Sequence, residues 1–95
     1  MEDIKSLDWE SLLHPIIDPL VEHPSSVMIR VDPDFNGNNA IRLLIVAEDT
    51  DTARLVGKKG AVANALRDVV SMITKIKCDN EKVLLRFESF GGEEN

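Results

Sequence analysis

Trp9, Leu12, Leu13, Ile16, Ile17, Leu20 and Val21 recur at helical spacing and share one face. Ser6 or Asp8 is placed to cap the start of such a helix. Pro15 and Pro19 sit four residues apart on the opposite side, and each removes a helix hydrogen bond and crowds the preceding turn. Two shapes accommodate them: a kinked helix, or a loose turn followed by a helix starting near Pro15. His23-Pro24 ends the element, because a residue before proline is pushed out of the helical region.

The period then changes from helical to alternating. Val27, Ile29 and Val31 alternate with Met28, Arg30 and Asp32, which predicts a strand with one buried face. The stretch from Asp32 to Asn39 contains Asn36-Gly37-Asn38-Asn39, rich in turn formers. Ile41 to Ala47 is almost continuously apolar and fits a well-buried strand. Strand, loop and strand at this spacing predict an antiparallel hairpin.

Helical periodicity returns downstream. Asp49-Thr50-Asp51-Thr52 offers helix caps, and a short helix is predicted over about Thr50 to Val56. Beyond Gly57 and Gly60, a second stripe runs through Val62, Ala65, Leu66, Val69, Val70, Ile73 and Ile76. Asp79-Asn80 marks a turn, and Val83, Leu85 and Phe87 alternate with Leu84, Arg86 and Glu88 as a third strand. The predicted fold is α+β with the order α-β-β-α-α-β, its helices packed on one face of a three-stranded sheet. It reads as a single domain over residues 1–95, with short acidic tails at Met1–Lys5 and Gly91–Asn95.

The 95 residues are 43% hydrophobic and 29% charged, ordinary values for a globular protein. No apolar run approaches the roughly 20 residues of a membrane span. The Met-Glu-Asp start lacks the basic and apolar regions of a signal peptide. Cys78 is the only cysteine, which rules out an intramolecular disulfide and a multi-cysteine zinc site. These absences together favour the cytoplasm. The net charge of −6 argues against a polyanion partner until its distribution is read. From Ala53 to Lys77 the chain holds Arg54, Lys58, Lys59, Arg67, Lys75 and Lys77 against Asp68 alone, a local charge of +5. A basic patch on an acidic body attracts a polyanion at short range. Lysines and arginines decorating a solvated helix face give the same count.

The basic block contains the sequence's best candidate site, Gly57-Lys58-Lys59-Gly60. Glycines three apart let the backbone take positive φ and approach a ligand closely. A helix N-terminus and two lysines beside them favour phosphate. Arg54 and Arg67 flank the loop on the preceding and following helices, where each serves equally well as a phosphate contact or a surface ion pair. Asn64, one turn into the following helix, is placed for a sugar or base edge. Val56, with Ala53 and Ala61, could line a groove beside the loop, core packing being the competing role. With no Tyr in the chain, and Trp and Phe distant in sequence, aromatic stacking contributes little.

A Gly-x-x-Gly loop in this element order resembles that of a type II KH domain, in which it clamps about four unpaired nucleotides. The chain is more closely similar to the small bacterial KH proteins of the KhpA/YlqC family. Two stretches carry the resemblance. One is Ile17-Asp18-Pro19-Leu20-Val21-Glu22-His23-Pro24. The other is Ala53-Arg54-Leu55-Val56-Gly57-Lys58-Lys59-Gly60, continuing through Ala65-Leu66-Arg67-Asp68-Val69-Val70. The resemblance covers roughly Leu13 to Phe87, most of the chain. The resemblance implies a cytoplasmic, non-catalytic protein that binds single-stranded RNA, forms a homodimer and pairs with a KhpB/Jag-like KH protein. It also implies a role in RNA chaperoning linked to cell division or envelope homeostasis. The RNA-binding residues it implies are Arg54, Val56, Gly57, Lys58, Lys59, Gly60, Asn64 and Arg67.

Other chemistries find little support. His14 and His23 lie beside prolines with no nucleophile or acid at motif spacing. Gly-Lys-Lys-Gly lacks the order of a Walker A loop. No metal-ligand cluster shows in the spacing, no cofactor is called for, and Asp49 and Asp51 read as helix caps. The competing reading is a protein-interaction module: a KH scaffold on which the acidic body weakens RNA binding and the helix from Ala61 to Ile76 presents a dimer face, Met72 included.

Overall fold

A computed structural model describes residues 4–37, 40–78 and 82–90. The predicted turn at Asp79-Asn80, the Asn38-Asn39 part of the hairpin loop and the Gly91–Asn95 tail lie outside the described residues. Three helices, α1 (Trp9–Ile17), α2 (Asp49–Val56) and α3 (Ala61–Lys77), and three strands, β1 (Met28–Val31), β2 (Ala40–Ala47) and β3 (Lys82–Ser89), follow in the order α-β-β-α-α-β.

α1 starts where Asp8 caps it. Ser11 donates to the Asp8 carboxylate from its backbone N–H at 3.2 Å and its hydroxyl at 2.8 Å. The helix runs through Pro15 and stops at Ile17, so no helix begins near Pro15. A proline is tolerated there because α1 is only nine residues long and packing holds it, with Trp9, Leu13 and Ile17 buried. Pro19 falls in the tighter turn Asp18–Leu20 that follows. Ile4 corrects the N-terminal tail reading. It is buried in the core, and its carbonyl accepts from the Trp9 indole N–H at 3.0 Å. One apolar residue among polar ones carries no period, so the sequence pattern misses it.

β2 is the central strand, antiparallel to β1 and parallel to β3. Ile29 faces Ile45, and Leu43 and Ile45 face Leu85 and Phe87. The odd-numbered face of the sheet meets the helices. Ile29, Ile41, Leu43, Ile45 and Leu85 bury against Leu13, Ile17, Leu55, Leu66 and Val70. Leu44 points to the opposite face yet is buried, in a cross-strand row between Arg30 and Arg86. On that face the Asp32 carboxylate accepts from Arg42 at 2.7 and 3.0 Å. Those bonds, with the Asp34 N–H, hold the Asp32 pKa below its ordinary value against the opposing effect of burial.

A parallel pair cannot be joined by a hairpin. The crossover from β2 to β3 is made by α2, the glycine loop and α3, so the loop sits where the chain turns within the helical layer. Among the described residues no helix is long and apolar enough to cross a membrane.

Candidate functional site

α2 ends at Gly57, whose N–H donates to Ala53 O at 2.9 Å while its backbone swings to φ 78° and ψ 174°. That conformation is essentially reserved for glycine. The space is reserved as well: a Cβ on Gly57 would meet Val62 Cγ2 at 2.5 Å and Val62 N at 2.8 Å. A single tight turn over Lys58–Gly60 follows, closed by Gly60 N–H to Gly57 O at 3.1 Å. Lys59 sits in the left-handed region at φ 56° and ψ 27°, a strained position for a residue with a side chain. Gly60, at φ 78° and ψ 14°, has no atom within 4 Å of where a Cβ would stand. The two glycines therefore differ. Gly57 serves close packing against α3, and Gly60 serves backbone direction over open space.

Lys58 and Lys59 are both exposed, and neither has an acidic partner among the described residues. Gly60 is also the N-cap of α3, so no side chain caps the first turn of that helix, and no acidic residue lies in it. A 17-residue helix thus presents its positive end beside two lysines. Val56 is half-buried, and Ala53 and Ala61 are exposed, which sets core packing aside for the two alanines. Asn64 and Arg67 are exposed one turn apart on α3, with Arg67 donating to the Asn64 side-chain oxygen at 2.9 Å.

Arg54 is engaged differently. Its guanidinium donates to Asp51 at 3.1 Å and to Glu22 at 3.2 Å. Asp51 is fully buried. One of its oxygens accepts from the Glu22 N–H at 2.9 Å and from Arg54. The other accepts from the His23 N–H at 2.8 Å and from His23 Nδ1 at 3.1 Å, so Nδ1 carries the proton. Burial acts most strongly on this carboxyl and raises its pKa, but the two backbone N–H groups and the His23 ring together outweigh it and hold the pKa below the ordinary carboxylate value.

This network corrects the cap reading of Asp51. The N-cap of α2 is Glu48, which makes no side-chain cap bond, and Asp51 ties α2 to the turn after α1 instead. Glu22, His23 and Asp51 bring ligand atoms within 4.8 Å of one another, a grouping that sequence spacing does not reveal. It suits a cation poorly, because both Asp51 oxygens already take two hydrogen bonds and Arg54 supplies the positive charge. The two halves of the network lie 28 and 29 residues apart. No periodicity links them.

The profile of the KhpA/KhpB KH domain matches residues 10–86, which include every residue of this site. A Listeria monocytogenes protein named RNA-binding protein KhpA is 36% identical over 61 residues, 64% of this chain and 76% of its own. A Bacillus subtilis protein of the same name is 36% identical over 62 residues, 64% of this chain and 72% of its own. No solved structure matches the chain.

Proposed function

The chain belongs to the KhpA/KhpB KH-domain family, and from that premise we propose that it is a non-catalytic protein that binds single-stranded RNA through Gly57-Lys58-Lys59-Gly60. The observation that carries the reading is the loop's geometry. Two glycines at positive φ turn the backbone tightly while two exposed lysines stand at the uncapped start of α3. Family members named for RNA binding in Listeria and Bacillus lend it further support.

In this reading the first-turn N–H groups of α3 and the lysine ammonium groups hold backbone phosphates. The positive helix end adds a fixed partial charge. Phosphate contacts position the strand without reading sequence, so preference among RNAs is modest. Arg54, Arg67 and Asn64 flank the loop, with Val56 beside it, and the domain extends over the whole chain. The protein acts in the cytoplasm, as an RNA chaperone or post-transcriptional regulator.

A homodimer accompanies this function. Met72 and Ile76, one turn apart on α3, are 57% and 76% exposed, which favours a partner there. A KhpB/Jag-like KH protein is the alternative occupant, in keeping with a family profile that covers both kinds of domain.

A binding titration with short single-stranded RNA at several salt concentrations tests the reading. Counterion release from a single strand gives a log–log slope of about −0.7 per neutralised phosphate, so two to four contacts give roughly −1.4 to −2.8. Absence of binding at low salt removes the RNA role and leaves a protein-interaction module on a KH scaffold.

A further inference from the structure

Arg54 is the member of the loop's cationic set whose charge is already taken up, and the two carboxylates that hold it are unequal. Asp51 is fully buried and held in place by the Glu22 and His23 N–H groups and the His23 ring, so it offers Arg54 a fixed carboxylate. Glu22 reaches the other side from solvent, with its side chain 63% exposed. An exposed ion pair of this kind is weak and easily exchanged. The guanidinium is thus shared between two carboxylates, and the exposed one stands where a phosphate would approach.

We propose that Glu22 sets the strength of RNA binding by competing with phosphate for the outer nitrogen of Arg54, while Asp51 is the positioning residue that holds the inner nitrogen. The inference rests on the RNA reading above and adds to it an internal competitor. The bond to the fixed Asp51 carboxylate positions Arg54 before RNA arrives. RNA replaces the exposed half, exchanging the Glu22 carboxylate for a phosphate oxygen. The Glu22 backbone N–H, which serves Asp51, is untouched by a change of its side chain. Glu22→Gln therefore removes the competitor without disturbing the anchor.

The test is a double-mutant cycle on the full chain with a short fluorescent single-stranded RNA of mixed sequence, read by anisotropy. Thermal unfolding of each variant confirms that it is folded. Glu22→Gln is expected to tighten binding about 1.5- to 5-fold, the worth of an exposed ion pair. In an Arg54→Gln background the same substitution should give a clearly smaller gain, since a gain through general charge removal would persist there. Equal gains in both backgrounds, or weaker binding by Glu22→Gln, overturn the competition while leaving RNA binding in place. A parent chain that binds no RNA in the same titration overturns the RNA reading and this inference with it.

Discussion

The carboxylate of Asp51 and the backbone N–H of His23 meet at 2.8 Å across 28 residues of chain. This bond, with its Glu22 counterpart, fixes the helix that leads into the glycine loop against the turn that follows α1. The sign of its pH dependence follows from the lowered pKa. Asp51 and Asp32 both titrate below the ordinary carboxylate value when folded, so around and below that value the unfolded chain binds more protons. Their stabilisation is fully present above the unfolded value and is lost as pH falls through the folded ones. Urea unfolding midpoints should hold level down to about pH 5 and fall steadily toward about pH 2. Asp51→Asn should lower the midpoint at neutral pH and flatten the acid slope. A midpoint that rises on acidification contradicts the assignment.

The two loop glycines should respond unequally to alanine. Gly57→Ala forces a side chain into a glycine-only conformation and against Val62 backbone and side-chain atoms. A cost of about 2–4 kcal/mol is expected from strain and overpacking together. Gly60→Ala meets open space and suffers only the left-handed backbone, about 1–2 kcal/mol. Denaturant titration of the two variants checks the order, and a reversed order refutes the division of roles.

Much of the fold was legible because it is periodic. The three alternating segments appear where the pattern puts them; the first helical stripe is cut short at Ile17, leaving Leu20 and Val21 outside α1, and the second lies within α3 but leaves Ala65 and Ile76 exposed. The parallel pairing of β2 with β3 agrees with a two-helix crossover between them. Pro15 blurred α1, since proline's local penalty says nothing of the packing that overrides it. Ile4 and Asp51 escaped for the same reason from opposite directions. Each is defined by contacts distant in sequence or isolated in pattern, with Ile4 serving the Trp9 indole and Asp51 serving the 22–23 backbone. The loop itself was readable from its glycines, but not that Arg54 beside it is shared between two carboxylates.

The exposed end of the α3 stripe makes the oligomer testable. Burying an aliphatic side chain is worth about 1.5–3 kcal/mol, so charging Met72 and Ile76 together should weaken self-association tenfold or more. Sedimentation at micromolar concentration should show dimer for the parent and monomer for Met72→Asp combined with Ile76→Asp, with both unfolding cooperatively. A parent that remains monomeric removes the homodimer. A variant that stays dimeric moves the interface elsewhere.

The central claim is that the loop lysines hold RNA phosphate, and the most direct measurement is RNA affinity of the chain carrying Lys58→Asp and Lys59→Asp. Both side chains are exposed, so the fold should survive and thermal unfolding should match the parent to within about 0.5 kcal/mol. Anisotropy with single-stranded RNA should then show binding for the parent and none for the double variant across the same concentrations. A folded double variant that binds RNA as tightly as the parent would show that the loop is not the site.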